Sequence, residues 1–397
     1  MSRTPRATFH YSLIQALFWA LYCALVCFSS VYLLEKGFSN SQIGIFISLS
    51  SVLSAFIQPL AAARADRMVR FTLRQVTALL LLVMTLGGLA LLLLPEKLLQ
   101  AGLYMALLIL LQIVLPFMSS LGMDCINHGT PLNFGLARGV GVTSCGIASS
   151  ALGVLVARCG VQVIPLATVL SAILMALAAQ TFRKADPLPD TGHQEGEQTK
   201  SSFLTFFRNY PGLLLLLLGL CMLHTSHNTL NSYPYQIVQA LGGTSVESGM
   251  VVTIQCIVDI PIMVFFVRLQ QKRPTDFWLK VAAVSYFLHA LAMWLSPNIP
   301  LLYASQIFDM TGFGLYAVAS VLYVNETIAH KDRVQGQTCF AVTNTIGLVF
   351  GSLIGGFLLD HGGTSIMLLF TVVTAAVGMV ILILAINRIS KKKPPAA

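Results

Sequence analysis

Twelve stretches of about twenty mainly apolar residues follow one another along the chain, and they restrict what it can fold into more than any other feature. Runs such as Leu79–Leu94 and Leu213–Leu220 leave the apolar residues almost nothing polar to alternate with. An average soluble domain carries about 25% charged residues, whereas this chain has 10% charged and 56% hydrophobic residues. The sequence therefore predicts an all-α membrane protein with twelve transmembrane helices.

The twelve predicted helices fall into two sets of six, separated by a polar segment that contains Pro and Gly and few aromatic residues. We therefore expect an N-terminal six-helix bundle in 1–183, a cytoplasmic linker in 184–209 and a C-terminal six-helix bundle in 210–397. The predicted helices are Tyr11–Leu34, Ser41–Ala63, Gln75–Leu94, Leu98–Asn127, Arg138–Ala157, Val161–Phe182, Gly212–Gln239, Val246–Leu269, Phe277–Leu295, Pro300–Asn325, Gln335–Leu359 and Thr364–Asn387.

The net charge of +9 is unevenly distributed, because Lys and Arg concentrate in alternate loops. The intervening loops hold only Lys36, Lys97 and Arg158. This asymmetry follows the positive-inside rule and predicts a multi-pass protein of the cell membrane with both termini cytoplasmic. The basic residues are expected to meet an anionic lipid leaflet, and no nucleic-acid partner is expected.

The sequence has no nucleophile–base set, phosphate-binding loop or metal-ligand spacing. Its eight cysteines are scattered along the predicted helices or at their ends, without a CxxC or a Cys/His pattern. We expect these cysteines to be small buried hydrophobic residues. An enzyme is therefore not expected, and neither is a catalytic residue, a metal site or a cofactor.

Arg138 opens the fifth predicted helix, where a charge within hydrocarbon costs about 2.5–3.5 kcal/mol. Such a charge persists when it faces a protein interior or a watery cavity and has a carboxylate partner. The candidate partner is Asp124, fourteen residues earlier. We interpret both residues as candidate substrate ligands.

The loop after the second helix, Ala62–Arg67, resembles the signature of the major facilitator superfamily between helices two and three. Ala62 stands where that family usually has Gly, and the downstream basic residues are reduced to Arg70 and Arg74. The resemblance implies two pseudo-symmetric six-helix bundles that transport a solute by alternating access. It also implies gating roles for Asp66, Arg67 and Arg70.

Asn133–Arg138, with the glycines that follow, is similar to helix five of the lactose permease group of proton-coupled sugar symporters. Ser41–Asp66 is similar to the second helix of that group. Gln306–Gly314 resembles the tenth helix of a branch that includes permeases for nucleosides and phenylpropionate-like aromatic acids. The sequence departs from the sugar permeases at Cys145, which stands near the place of a sugar-stacking Trp, and it lacks their lysine in helix eleven.

Polar and aromatic residues three or four positions apart share a helix face, and they form stripes on several predicted helices. On the tenth helix the stripe runs from Gln306 through Asp309 to Tyr323, and on the seventh it includes His224 and His227. Interhelical hydrogen bonding is the alternative explanation for most single polar residues. For the three carboxylates and Arg138 a functional role is favoured, because intramembrane charges are functional by default. Nearly isolated histidines such as His224 and His227 are more often structural, with proton coupling as the alternative. His289, without a partner in the sequence, is expected to be structural.

These patterns define two sets of candidate site residues. The candidate substrate-binding residues are Arg138, Asp124, Trp19, Tyr22, Asn228, Tyr316 and Asn344. The candidate proton-coupling residues are Asp309, Asp259 and His227.

The sequence favours proton-coupled symport of a small polar organic solute such as a sugar, oligosaccharide or nucleoside, carried out by a monomer. Three intramembrane carboxylates accompany one arginine, so at least one acid is available to carry a proton. A proton-coupled efflux antiporter for drugs or metabolites is the alternative, and sodium coupling stays open. A receptor that keeps the fold without transporting is a more distant alternative.

Overall fold

The computed structural model of the protein describes residues 4–67, 72–127, 132–182 and 203–390. All regular secondary structure in these ranges is helical, which confirms the predicted all-α class. Of the predicted linker, residues 184–202 lie outside the described residues, and the rest contains a short helix. The helices are α1 Thr4–Tyr22, α2 Ser29–Glu35, α3 Asn40–Arg67, α4 Leu73–Leu93, α5 Lys97–Asn127, α6 Phe134–Cys159, α7 Val163–Thr181, α8 Phe203–Asn209, α9 Pro211–Ser232, α10 Pro234–Ala240, α11 Ser245–Gln270, α12 Thr275–Trp294, α13 Ile299–Ser305, α14 Ile307–Asp309, α15 Leu315–Thr327 and α16 Arg333–Ser390.

Eleven helical stretches of the described chain are long and apolar enough to cross a membrane. The last of them, His330–Ser390, includes α16, whose backbone leaves helical geometry at Gly363 with φ 73°. A positive φ costs glycine little, so this residue separates two spans within one continuous stretch. Counted this way the described residues contain the twelve spans that the apolar pattern predicts.

Within the described ranges, two spans contain a π-helical turn, which the sequence pattern did not predict. The first, Cys23–Cys27, joins α1 to α2, and the second, Met310–Gly314, joins α14 to α15. A π turn inserts an extra residue into a helix and occurs frequently at functional sites. Each of these turns lies beside a cluster of chemically reactive side chains.

The described residues form two compact units. One lies within Met1–Gly192 and Gly242–Cys256, and the other lies within His193–Leu241 and Ile257–Ala397. The first unit contains α1 to α7 with the beginning of α11. The second contains α8 to α10, the remainder of α11, and α12 to α16.

In the first unit, helices approach closely where a glycine faces a large side chain. A Cβ atom on Gly141 of α6 would lie 2.4 Å from Cδ1 of Trp19 on α1. A Cβ atom on Gly122 of α5 would lie 2.4 Å from Cζ of Tyr11. The Tyr11 hydroxyl also donates to the Met118 carbonyl oxygen at 3.2 Å. Because lipid provides no hydrophobic force between helices, such close packing is what holds spans together.

In the second unit, α9 and α16 pack backbone against backbone through several glycines. A Cβ atom on Gly378 would lie 2.9 Å from the Gly219 carbonyl oxygen, and one on Gly219 would lie 2.8 Å from the Leu382 nitrogen. A Cβ atom on Gly347 would lie 2.5 Å from Cβ of His224. This contact fixes the face of α9 that carries the histidines described below.

Replacing Gly378 by Ala is expected to lower the free energy of unfolding by about 1–3 kcal/mol, because a rigid backbone on α9 occupies the space of the new methyl group. The melting temperature of the purified protein in detergent measures this loss. Gly102→Ala is the matched control, since nothing lies within 4 Å of a Cβ atom there. If the two variants have the same melting temperature, the α9–α16 contact is not the close approach described.

Candidate functional site

Asp309 lies between two histidines in the second unit. Its Oδ1 atom is 3.4 Å from Nδ1 of His227 and 3.5 Å from Nδ1 of His289. The three residues are buried, with 3%, 5% and 2% of their respective surfaces exposed. They come from three different spans: His227 from α9, His289 from α12 and Asp309 from the end of α14. We call these three residues the carboxylate–imidazole cluster.

The other ring nitrogen of His289 fixes the tautomer of that ring. Nε2 of His289 lies 3.3 Å from Oε1 of Gln306, an oxygen that can only accept a hydrogen bond. The Gln306 amide is itself oriented, because its Nε2 donates to the Leu302 carbonyl oxygen at 3.0 Å and to the Ser305 hydroxyl at 3.1 Å. His289 therefore carries its proton on Nε2 when neutral, and presents a bare Nδ1 to Asp309.

His227 presents the opposite tautomer. Nδ2 of Asn231, one helical turn later on α9, lies 2.8 Å from Nε2 of His227. As the amide is oriented, its N–H donates and Nε2 accepts, so the proton of the neutral ring resides on Nδ1. That proton faces the Asp309 carboxylate.

The cluster can therefore take up one additional proton. In the unprotonated state, a bare nitrogen of His289 faces an ionised carboxylate, which is repulsive. A proton taken up at Nδ1 of His289, or on Asp309 itself, removes this repulsion and neutralises the cluster. His289 gains it without breaking its bond to Gln306. Burying an unneutralised charge costs on the order of several kcal/mol. The unprotonated, charged cluster is therefore more stable in contact with water, and the protonated, neutral cluster is more stable in an apolar interior.

Aromatic rings surround the two histidines of α9. The His227 ring stacks on Phe313, with centroids 4.7 Å apart and planes at 10°. The His224 ring meets Tyr316 edge to face at 4.8 Å, and Tyr286 contacts both histidines edge to face. Neither nitrogen of His224 nor the Tyr286 hydroxyl has a hydrogen-bond partner among the described residues. Such buried polar atoms are rare unless they have a further role.

Asp259 approaches the same span from α11. Its Oδ1 would lie 2.8 Å from a Cβ atom on Gly314, at the end of the π turn Met310–Gly314. Asp309 immediately precedes this turn. Both candidate acids are thus buried beside one π-helical segment.

The remaining candidates of the second unit lie on α9, α15 and α16. Nδ2 of Asn228 donates to the Asn344 side-chain oxygen at 3.1 Å, which joins α9 to α16. Tyr316 is buried and contacts His224 as described. The structure thus brings two of the predicted substrate residues into direct contact and sets the third against His224.

The candidates of the first unit fall into two groups. Trp19 and Tyr22 lie together on α1, with ring centroids 5.1 Å apart. Nε1 of Trp19 has no hydrogen-bond partner in the described part of the chain. Arg138 and Asp124 are both exposed, near the start of α6 and the end of α5. Their pairing stays a prediction.

The three gating candidates lie outside the described residues, because the side chains of Asp66 and Arg67 and the whole of Arg70 do so.

His289 is the residue that sequence reasoning missed. Its partners lie on a different span, twenty residues later for Asp309 and seventeen for Gln306. The spacing of residues along α12 does not indicate these partners. The available indication was its residue type, since an ionisable side chain inside a membrane is functional by default.

Comparison with known proteins gives the chain relatives among transporters. It is 28% identical over 384 residues to the maltose permease of Geobacillus stearothermophilus, covering 95% of this chain and 93% of the permease. A putative sugar efflux transporter of Deinococcus radiodurans is 24% identical over 120 residues, which is 30% of this chain and 31% of that protein.

Solved structures share the fold at low identity. The nucleoside transporter NupG superposes with a TM-score of 0.77 at 14% identity, covering 98% of this chain and all of NupG. A bacterial homologue of the iron transporter ferroportin superposes with a TM-score of 0.69 at 12% identity, covering 98% of this chain and all of that one. The model of the MFS_1 like family matches residues 9–371. The chain therefore belongs to the MFS_1 like family, and it is a multi-pass membrane transporter and not an enzyme.

Proposed function

We propose that this transporter of the cell membrane couples the movement of a sugar or nucleoside to the movement of a proton in the same direction. The observation that carries the proposal is the position of Asp309 Oδ1 between Nδ1 of His227 and Nδ1 of His289. A group that carries a proton across a membrane must be stable in two protonation states. The carboxylate–imidazole cluster meets that requirement with one bare nitrogen and one carboxylate.

Proton binding and solute binding would be coupled through the aromatic residues. His227 belongs to the cluster and stacks on Phe313, while His224 and Tyr286 hold unpartnered polar atoms beside it. A polyhydroxylated solute or a nucleoside offers hydroxyl groups to those atoms and a ring face to Tyr316. A solute bound there would exclude water from the cluster, so the neutral, protonated form would be favoured.

Further solute contacts are proposed at Asn228 and Asn344 in the second unit, and at Trp19, Tyr22, Arg138 and Asp124 in the first. Asp259 is proposed as a second proton-carrying acid, because it is buried beside the π turn that follows Asp309. Asp66, Arg67 and Arg70 are proposed to gate the cytoplasmic side during alternating access. The similarity to a maltose permease supports a sugar as solute.

The direction of transport has one alternative. The relative from Deinococcus radiodurans is described as a putative sugar efflux transporter. An antiporter would use the same proton site but would move the proton and the solute in opposite directions. Export predicts that cells lacking the protein accumulate more of a supplied sugar, whereas symport predicts that they accumulate less.

Asp309→Asn is expected to abolish accumulation of solute driven by a proton gradient, because the neutral amide leaves no negative charge in the cluster for the transported proton to neutralise. Exchange of labelled for unlabelled solute across the membrane should continue, since exchange needs no net proton movement. Proteoliposomes supplied with a panel of disaccharides and nucleosides, beginning with maltose and uridine, measure both activities.

Glu326→Gln is the matched control for that experiment, because it removes an exposed carboxylate from the same span. It should accumulate solute as the unmodified protein does. Normal accumulation by Asp309→Asn would overturn the assignment of the proton site.

The two histidines are expected to respond differently to substitution by Gln. His227→Gln can keep an N–H group facing Asp309, so accumulation should persist at a lower rate. His289→Gln removes the bare ring nitrogen that receives the proton, so accumulation should fall to the equilibrium ratio of one. The steady-state ratio of internal to external solute measures the difference. The reverse order of severity would contradict the tautomers described.

The donor set of the cluster favours a second candidate function, transport of a divalent transition-metal ion. Two imidazoles and one carboxylate have ligand atoms within 4.8 Å of one another, and such sets bind Fe, Zn or Mn. A metal needs a bare nitrogen on each ring, however. The hydrogen bond from Asn231 leaves His227 with its proton on Nδ1. The proton-carrying function therefore fits the hydrogen bonds better.

Zinc, manganese and iron(II) ions are thus expected to enter proteoliposomes no faster than they enter vesicles without the protein. Element analysis of the washed vesicles makes the measurement. Uptake of one of these ions that is lost in both His227→Gln and His289→Gln would establish the metal function instead.

A further inference from the structure

Three cysteine thiols meet in the first unit, away from the carboxylate–imidazole cluster. The sulfur atoms of Cys23, Cys27 and Cys145 all lie within 4.8 Å of one another. Cys23 and Cys145 are buried, with 0% and 3% of their surfaces exposed, and Cys27 is half-buried. We call these residues the thiol trio.

The trio depends on the π turn between α1 and α2. The Phe28 nitrogen donates to the Cys23 carbonyl oxygen at 3.2 Å, five residues back, which is the hydrogen bond of a π helix. A π turn is wider than the α turn of 3.6 residues, so residues four apart lie more nearly above one another. Cys23 and Cys27, which begin and end this turn, therefore direct their thiols to the same side.

The packing of α6 on α1 supplies the third thiol. Gly141 accepts the Trp19 ring without a side chain of its own, and the Ser144 hydroxyl donates to the Ala16 carbonyl oxygen at 3.0 Å. Cys145 lies one helical turn after Gly141, on the same face of α6. Residues from two packed segments thus converge on one site.

Charge decides which ion these thiols suit. The segments that carry them contain no Lys or Arg between Arg6 and Lys36 or between Arg138 and Arg158. A monovalent ion bound by three thiolates would leave two uncompensated negative charges, and a divalent ion would leave one. Uncompensated buried charge is strongly unfavourable. A trivalent ion is the choice that gives a neutral complex.

We propose that the thiol trio binds a trivalent, thiol-seeking metalloid, of which arsenic(III) is the representative. Arsenous acid reacts with three thiols in a balanced exchange without oxidation or reduction. Three As–O bonds break and three As–S bonds form, and each hydroxide leaves as water with the proton of one thiol. Half-buried Cys27 is the first sulfur that the metalloid meets, and the buried thiols complete the site.

The test uses the purified full-length chain, kept reduced and titrated with arsenite. Native mass spectrometry should find that each chain gains the mass of one arsenic atom and loses the mass of three hydrogen atoms. X-ray absorption at the arsenic edge should find three sulfur neighbours and no oxygen neighbour. Both measurements use the unmodified protein, so neither depends on how well a variant folds.

Cys23→Ser, Cys27→Ser and Cys145→Ser should each weaken arsenite binding by about tenfold or more. Cys159→Ser is the matched control, because Cys159 is an exposed residue at the end of the same helix as Cys145. It should bind as the unmodified protein does.

Three results would overturn the proposal. The first is no arsenic bound to the reduced protein. The second is binding that depends on Cys159 and not on the trio. The third is a preference for copper(I) over arsenite at the trio, which would contradict the selection by charge. Solute transport is not a readout here, so failure of the proposed transport function leaves this test unaffected.

Discussion

The burial of Asp309 between two imidazoles is the interaction on which the proposed proton coupling of this protein depends. A carboxylate with 3% of its surface exposed is stable in a low-dielectric interior only when its charge is balanced or removed by a proton. Gln306 and Asn231 hold the two rings in opposite tautomers. One proton therefore separates a charged cluster from a neutral one, and that difference can be coupled to a solute.

Close helix packing keeps the groups of the cluster in place. His224 and His227 face the interior because α9 lies backbone to backbone against α16, where Gly347 and Gly351 leave room. The π turns contribute in a different way, since each changes the direction of the side chains beside it. One follows Asp309 and carries Gly314 against Asp259, and the other aligns Cys23 with Cys27.

The sequence predicted the class of fold and part of the cluster for identifiable physical reasons. Apolar runs of membrane length give the spans directly, and the spacing along the seventh and tenth spans placed His227 and Asp309 among the functional candidates. The pairing of His289 with Asp309 was not predictable, because it depends on which spans are neighbours. The thiol trio was missed for the same reason, because Cys145 lies on a different span from Cys23 and Cys27.

The most direct measurement is the number of protons that the purified protein takes up when solute binds, followed with a pH indicator in weakly buffered detergent solution. Addition of the transported sugar or nucleoside should cause uptake of about one proton per chain. The same addition to Asp309→Asn should change the pH no more than buffer does. Solute binding without proton uptake by the unmodified protein would contradict the central role of the cluster.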